Sequence, residues 1–250
     1  MRDQIRDRAY FSEYIDSQKS AINKFIFWID SGKTPVDRIA AVRASIADKA
    51  IGILLAEYSS GSNRNALDAA WNFGLNLIEQ GWAGRWKIKD LKGDVYDQYI
   101  LSAYDEMLWM LSLGYLLDID DAEFRKLVDV IDRDGVRDNL FEFIISAKLK
   151  DRAPISEESY REYFGVPEVF ATLRKAIAET DKQQAATLVK QFITKEWYTN
   201  HKDAGWHNSH KNKHNAYFGY WSFETAAVVK IMGLDDSPFR DCQYYPKDLV

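Results

Sequence analysis

The sequence contains a single cysteine, fewer basic than acidic residues and no long apolar run. Its 250 residues include one cysteine, Cys242, which excludes an intramolecular disulfide framework and suits a reducing compartment. The amino terminus, residues 1–8, lacks the apolar stretch of a secretory signal. No segment approaches the run of about 18 apolar residues that a membrane span requires. We therefore expect a cytoplasmic protein that does not enter a membrane.

Basic residues are outnumbered by acidic ones. The chain has 33 Lys and Arg against 38 Asp and Glu, a formal net charge of −5 at pH 7. Proteins that bind nucleic acid directly normally present a net basic face, so this balance argues against such a role. Hydrophobic residues make up 46% of the chain, as in ordinary globular proteins.

Apolar residues at three- and four-residue spacing run through the whole chain, while strand-like alternation is nearly absent. This pattern predicts an all-α fold, a helical bundle of about nine or ten helices. Thr34 and Pro35 are expected to be the N-cap and first residue of one helix, and residues 95–117 one long apolar helix. We expect two consecutive helical parts, residues 1–117 and residues 118–250.

All four histidines lie within residues 201–214. They are His201, His207, His210 and His214. His210 and His214 would share a face if that segment were helical, and both could then bind zinc. The neighbouring asparagines and Ser209 are poor helix formers, and no His-Glu-x-x-His motif is present. We expect no metal and no cofactor here but a polar loop, with a metal-dependent hydrolase that uses this cluster as the alternative.

Glu224 lies on an apolar stripe together with Tyr220, Trp221 and Val228. A carboxylate in that position needs a hydrogen-bond partner, because burying it alone is costly. An indole N–H, a tyrosine hydroxyl or a histidine would serve. A structural network is favoured over a general acid or base, since the sequence signals no second catalytic group and no phosphate-binding glycine loop or nucleophile elbow. We expect no enzymatic activity.

Negative charge is concentrated in residues 94–142, which carry 13 acidic and 4 basic side chains, a net of −9. Such a run is either a solvated helical face or an acidic surface that attracts a basic partner. The candidate contact residues for a basic partner are Asp118, Asp120, Asp121, Glu123, Asp129, Asp132, Asp134 and Asp138.

The carboxy-terminal residues resemble the PoNi family, the immunity proteins of PoNe-type polymorphic DNase toxins. The resemblance is carried by Gly205-Trp206-His207, by His210, by the segment from Tyr217 to Ala227 that contains GYWSFE, by the DDSPFRD segment from Asp235 to Asp241, and by Tyr244 to Val250. The signature residues, which we interpret as scaffold, are Trp206, His207, His210, Tyr220, Trp221, Glu224, Asp235, Asp236, Phe239 and Arg240.

The resemblance implies an all-α fold in two consecutive parts and no catalytic residues. It also implies a cytoplasmic protein that neutralises a nuclease toxin of the PD-(D/E)xK type, in bacteria that deploy such toxins through type VI or related secretion. We expect the eight candidate acidic residues to contact the toxin. A helical scaffold with an unrelated partner is a further alternative, and the sequence leaves self-association open.

Overall fold

The computed structural model describes residues 1–82, 84, 86–160 and 166–250. The α-helices are α1 (Arg8–Asp30), α2 (Val36–Ser60), α3 (Arg64–Gly81), α4 (Leu101–Leu116), α5 (Asp121–Asp134), α6 (Asn139–Lys148), α7 (Val166–Val169), α8 (Ala171–Ala178), α9 (Lys182–Gln191), α10 (Trp197–Asn200) and α11 (Phe223–Met232). A π-helical turn, Phe192–Glu196, joins α9 to α10, and 3₁₀ turns occupy Ser209–Lys211 and Lys247–Leu249. The predicted all-α class is confirmed.

The described residues form one two-stranded antiparallel sheet, β1 (Lys87–Lys89) and β2 (Val95–Tyr99). Backbone contacts divide the chain into two units. The first unit contains residues 1–86 and 208–219, and the second contains residues 87–207 and 220–250. The expected division into residues 1–117 and residues 118–250 stays a prediction.

In the first unit α1 and α3 both pack against α2. Close approach is possible because α2 presents small buried residues, among them Ala44, Ala47 and Ala50. Residues 208–219 complete this unit. The backbone N–H of the buried Tyr217 donates to Tyr10 Oη at 3.1 Å, and Ser59 Oγ donates to the carbonyl of Phe218 at 2.7 Å.

The second unit is built around α4, which packs against α6 and α11 and is buried along nearly its whole length. The β-hairpin precedes this helix and is tied to the unit through Tyr99. The backbone N–H of the buried Tyr99 donates to Tyr160 Oη at 2.9 Å, and its hydroxyl donates to Asp134 Oδ2 at 2.8 Å.

Two local predictions were wrong. Residues 95–99 form strand β2 rather than the start of α4, because Gly93, at φ +92°, supports a tight turn that returns the chain along β1. Helix α2 begins at Val36, so Pro35 rather than Thr34 occupies the N-cap, without a side-chain hydrogen bond. Within the described ranges, each helix is too short or too polar to cross a bilayer.

Candidate functional site

An exposed acidic surface covers the α4–α5 junction and one side of α5. We use the name acidic surface for Asp118, Asp120, Asp121, Glu123, Asp129 and Asp132. The side chains of Asp118, Asp121 and Asp132 are 84%, 61% and 44% exposed. These carboxylates are therefore accessible to another molecule.

Local sequence chemistry explains how these side chains are held. Asp120 caps α5, since its Oδ1 accepts a hydrogen bond from the backbone N–H of Ala122 at 2.9 Å. Asp121 and Glu123 lie in the first turn, where the helix dipole favours negative charge. Asp121, Asp129 and Asp132 share one side of α5 at helical spacing and span about 16 Å along its axis. The acidic surface is thus carried on a capped, regular helix.

Two cations lie beneath the acidic surface. Lys148 Nζ is 2.5 Å from Asp118 Oδ1 and 3.2 Å from Asp121 Oδ1. Arg152 binds both oxygens of Asp132, at 2.6 and 2.7 Å, and also the Glu142 carboxylate. The side chains of Lys148 and Arg152 are only 10% and 19% exposed, so these two cations lie beneath the carboxylates they pair with. Arg125, on the same side of α5, is 48% exposed and pairs with Asp151.

These ion pairs keep both cations charged. Burial on its own would lower the pKa of Lys148, but hydrogen bonds to Asp118 and Asp121 outweigh it and raise that pKa above its usual value. Hydrogen bonds to Glu142 and Asp132 likewise raise the pKa of Arg152. The carboxylates are consequently ordered, and their orientation is set by the fold before any partner binds.

Asp134 and Asp138, also candidate contact residues, are buried and lie outside the acidic surface. Asp134 is 4% exposed and accepts the hydrogen bond from Tyr99. Asp138 is fully buried and caps α6, where its Oδ1 accepts the backbone N–H groups of Leu140 and Phe141 at 2.9 and 3.0 Å. Its other oxygen pairs with Arg174. In this conformation these two carboxylates stabilise the second unit and are not accessible to a partner.

Glu224 is buried in the second unit and accepts the hydrogen bonds expected for it. Trp197 Nε1 and Ser222 Oγ both donate to Glu224 Oε1, each at 2.6 Å. A second buried carboxylate, Asp105, accepts from Trp206 Nε1 at 2.9 Å and lies 3.3 Å from His201 Nε2. The two indole rings stack with centroids 5.3 Å apart. Two carboxylates and one histidine therefore share one aromatic interior.

Burial strongly affects the protonation of this network. Loss of solvation raises the pKa of Glu224 to about 7, although the Ser222 hydroxyl partly opposes the shift. Loss of solvation would lower the pKa of His201, but the charge and hydrogen bond of Asp105 outweigh it and raise that pKa. The network is a buried proton-binding group with no opening to solvent at Glu224, which is 1% exposed. Glu224 therefore forms part of the packed interior of the second unit and does not reach solvent.

The four histidines occupy different local structures. His201 belongs to the buried network, and the His207 ring lies 4.3 Å from the Tyr198 ring in the same unit. His210 and His214 belong to the first unit, where the His210 ring meets the edge of Tyr217. In the described part of the chain, no group of three or more His, Cys, Asp and Glu side chains could hold a metal ion. That no metal binds to these histidines stays a prediction.

Most of the remaining signature residues make contacts within the carboxy-terminal segment of the second unit. Asp236 accepts hydrogen bonds from Arg240 at 2.5 Å and from the Tyr245 hydroxyl at 3.1 Å. Asp235 accepts both the backbone and side-chain donors of Ser237. Phe239 is buried against Tyr245. Tyr220 is buried beside Trp206, and Trp221 is half-buried.

Sequence reasoning missed two pairs that organise the second unit, Asp105 with His201 and Asp138 with Arg174. A signal for the first was present, because Asp105 interrupts the apolar sequence of α4 and a buried carboxylate needs a partner. A signal for Asp138 was its place before Asn139 and Leu140, which is typical of an N-cap. The partners themselves lie far away in sequence and carry no comparable signal.

Comparisons with known proteins relate this chain to a solved structure and to a protein family. The crystal structure of protein PA2201 from Pseudomonas aeruginosa is similar with a TM-score of 0.54 and 19% sequence identity, over 94% of this chain and 86% of that one, a likeness of fold. No match was found among curated proteins. The family model for the N-terminal region of PoNe immunity proteins matches residues 2–129, and the model for their C-terminal region matches residues 136–249. The chain therefore belongs to the PoNi family of PoNe immunity proteins.

Proposed function

We propose that this protein protects the cell that makes it by direct, stoichiometric binding of a cognate PoNe DNase toxin in the cytoplasm. The toxin would be one that is delivered between bacteria by type VI or related secretion. Membership of the PoNi family supports the general role. The single cysteine, which suits a reducing compartment, supports the location.

The observation that carries the binding mode is the acidic surface. A DNase must present cationic groups to the phosphates of DNA, and a concentrated field of opposite sign attracts such a protein. Asp118, Asp121 and Asp132 are more exposed than the cations they pair with, so their carboxylates are open to an approaching partner. We therefore assign the acidic surface as the region that meets the cationic face of the toxin.

Charge and affinity have different sources in this proposal. Exposed carboxylates at an interface chiefly raise the association rate and exclude acidic partners. The lifetime of the complex would depend on a few buried anchors. The preformed ion pairs with Lys148 and Arg152 reduce the ordering that binding requires, because the carboxylates are already oriented.

Co-expression with the candidate nuclease tests the role itself. We expect growth of cells that make the nuclease to be restored by this protein, and the two chains to elute together in gel filtration. Growth restored without a stable complex would contradict direct binding, and no restoration would contradict the immunity role for that nuclease.

Neutralising part of the acidic surface tests the binding mode. In the triple variant Asp121→Asn, Asp129→Asn and Asp132→Asn, Lys148 retains Asp118 and Arg152 retains Glu142, so the fold is expected to survive. The association rate at low salt should fall at least about tenfold, with a weaker salt dependence. Stopped-flow or surface-based kinetics measure both.

The matched control is a triple variant with the same charge change on exposed residues of the first unit, Glu13→Gln, Asp16→Asn and Glu79→Gln. Its association rate should stay within about twofold of wild type. Equal effects of the two triple variants would mean that only net charge matters, and the acidic surface would lose its assigned role.

A further inference from the structure

The carboxy-terminal end of α1 carries more apolar residues than one core can cover. Five consecutive residues, from Phe25 to Ile29, are apolar. Successive residues in a helix are rotated by about 100°, so five of them surround the helix axis. The core side of α1 is marked by Phe11, Tyr14, Ile15 and Ile22. Part of the apolar run must therefore point away from the core.

The structure shows which residues these are. Ile26, Phe27 and Trp28 are 38%, 58% and 36% exposed. Phe27 lies opposite the core side of the helix, beside the exposed residues Asn23 and Lys24. Large aromatic side chains grouped on a surface are typical of protein interfaces. We use the name α1 apolar face for Ile26, Phe27 and Trp28 with the flanking Lys24 and Asp30.

Two charges of opposite sign lie at equal distances along the sequence on either side of Phe27. Lys24 lies three residues before it and Asp30 three residues after it. The ammonium of Lys24 lies 4.6 Å from the centre of the Trp28 ring. Among the described residues, neither Lys24 nor Asp30 has an ion-pair partner within 4 Å. Both charges are available to another molecule.

We propose that the α1 apolar face pairs with the same face of a second copy of this chain, with the two α1 helices antiparallel about a twofold axis near Phe27. Twofold symmetry makes an interface self-complementary. In this pairing Lys24 meets Asp30 of the partner subunit, and the symmetry repeats that ion pair. The two Phe27 rings pack together at the axis. Ile26 and Trp28 flank them on opposite sides, with Ile26 beside Ile26 of the partner subunit and Trp28 beside Trp28 of the partner subunit.

Charge complementarity is the reason for choosing a second copy as the occupant. An unrelated acidic partner would engage the lysine but leave Asp30 facing like charge, whereas a basic partner would do the reverse. An antiparallel copy of the same helix presents a partner of opposite sign to both charges at the required spacing. Lys33, whose ammonium lies 5.1 Å from the centre of the Phe27 ring, follows the helix on an exposed turn and can extend into water when that ring is covered.

Sedimentation equilibrium of the full chain at micromolar concentrations tests the pairing. The wild type should show a monomer–dimer equilibrium. Phe27→Glu should raise the dimer dissociation constant at least about 30-fold, because the aromatic anchor at the axis is replaced by apposed charges. Leu91→Ser, which removes a fully exposed apolar side chain from the turn between β1 and β2, is the matched control and should leave the equilibrium unchanged.

A charge exchange tests the antiparallel register. Lys24→Glu and Asp30→Lys should each weaken dimerisation by roughly tenfold, because each brings like charges together twice. The double variant should recover most of the wild-type dimer, since the pair is restored in reverse order. Two weakening single variants without recovery in the double variant would overturn this register.

The proposal is independent of toxin binding, and the two are separated by measuring both properties on the same variants. A monomeric wild type would overturn the pairing. If Phe27→Glu then also lost affinity for the toxin, the α1 apolar face would belong to the toxin interface. Dimer loss with unchanged toxin affinity supports the pairing as stated.

Discussion

Two carboxylates in the interior of the second unit, Glu224 and Asp105, are each held by the indole N–H of a tryptophan. They differ in the charge next to them. Asp105 has His201 at 3.3 Å, whereas Oε2 of Glu224 has no hydrogen-bond partner in the described residues. The asymmetry explains why burial can raise the pKa of Glu224 to about 7, while Asp105 raises the pKa of His201.

This difference predicts how stability depends on pH. The folded pKa of Glu224, about 7, exceeds the ordinary value of 4.5, so between these values the folded state holds a proton that the unfolded state releases. Stability therefore falls as pH rises through this window. Glu224→Gln removes that loss, and its free energy of unfolding relative to wild type should increase by roughly 3 kcal/mol between pH 4.5 and 8.

Urea unfolding at several pH values measures this difference. His201, whose pKa is also raised, loses its stabilising contribution as pH rises through its folded pKa, and that slope should remain in Glu224→Gln. The exposed control, Glu79→Gln, should track wild type. A constant difference between Glu224→Gln and wild type across the range would show that Glu224 does not carry the shift.

For single residues, the sequence predicted that Glu224 is buried and hydrogen-bonded, but not which residue donates the hydrogen bond. Trp197 is 27 residues away in sequence and Asp105 is 101 residues from Trp206, distances over which local patterns hold no information. The burial of Asp134 could have been predicted from its spacing along α5, because it lies on the same side of the helix as the buried Leu127 and Ile131. Charge alone did not distinguish it from the exposed aspartates.

Among the secondary-structure elements, the long helices were predictable because their apolar residues repeat at helical spacing over many turns. The boundaries between elements were less predictable. In β2 the run Val95-Tyr96-Asp97-Gln98-Tyr99 is followed directly by the apolar sequence of α4, and the two were read as one helix. The tight turn at Gly93 was the signal that separates them. At α2, proline at the N-cap displaced the predicted start by one residue.

Close packing of α3 on α2 gives a prediction for Gly81, the last residue of α3. A Cβ atom at this position would lie 2.5 Å from the backbone carbonyl oxygen of Arg43 in α2. Helix propensity on its own favours alanine over glycine by about 1 kcal/mol. We expect Gly81→Ala to destabilise the protein by about 1–3 kcal/mol, because backbone atoms cannot move aside as a side chain can.

Chemical denaturation of Gly81→Ala determines the sign of the effect. Gly205→Ala provides the control, since a Cβ atom there would meet nothing within 4 Å. It should change the free energy of unfolding by less than about 0.5 kcal/mol. A stabilised Gly81→Ala variant would show that α3 and α2 are less closely packed than described.

Across the whole molecule, chain order and spatial units do not coincide. Residues 208–219 belong to the first unit, although α4 to α10 of the second unit precede them. A cut at 117/118 would remove residues 208–219 from the first unit and would separate α4 from α6 and α11. Neither fragment would then contain a complete unit.

We expect the separate fragments 1–117 and 118–250 to be poorly folded, and the two together to associate into a folded complex. Co-expression with a tag on one fragment and circular dichroism of the purified species measure this. The buried Tyr217, which belongs to the first unit, gives an internal check, since Tyr217→Ala in fragment 118–250 should weaken the association. Cooperative unfolding of isolated 1–117 at the wild-type midpoint would contradict the prediction.

The late position of residues 208–219 also affects the order of events on the ribosome. Residues 1–86 emerge first, but the first unit cannot be complete until residue 219 has left the exit tunnel. At about 5–20 residues per second, the nascent first unit waits for several seconds or longer, during which chaperones have access to it. Translation products that stop before residue 208 would lack this closing segment, so they would not contribute a complete first unit to the dose of immunity in the cell.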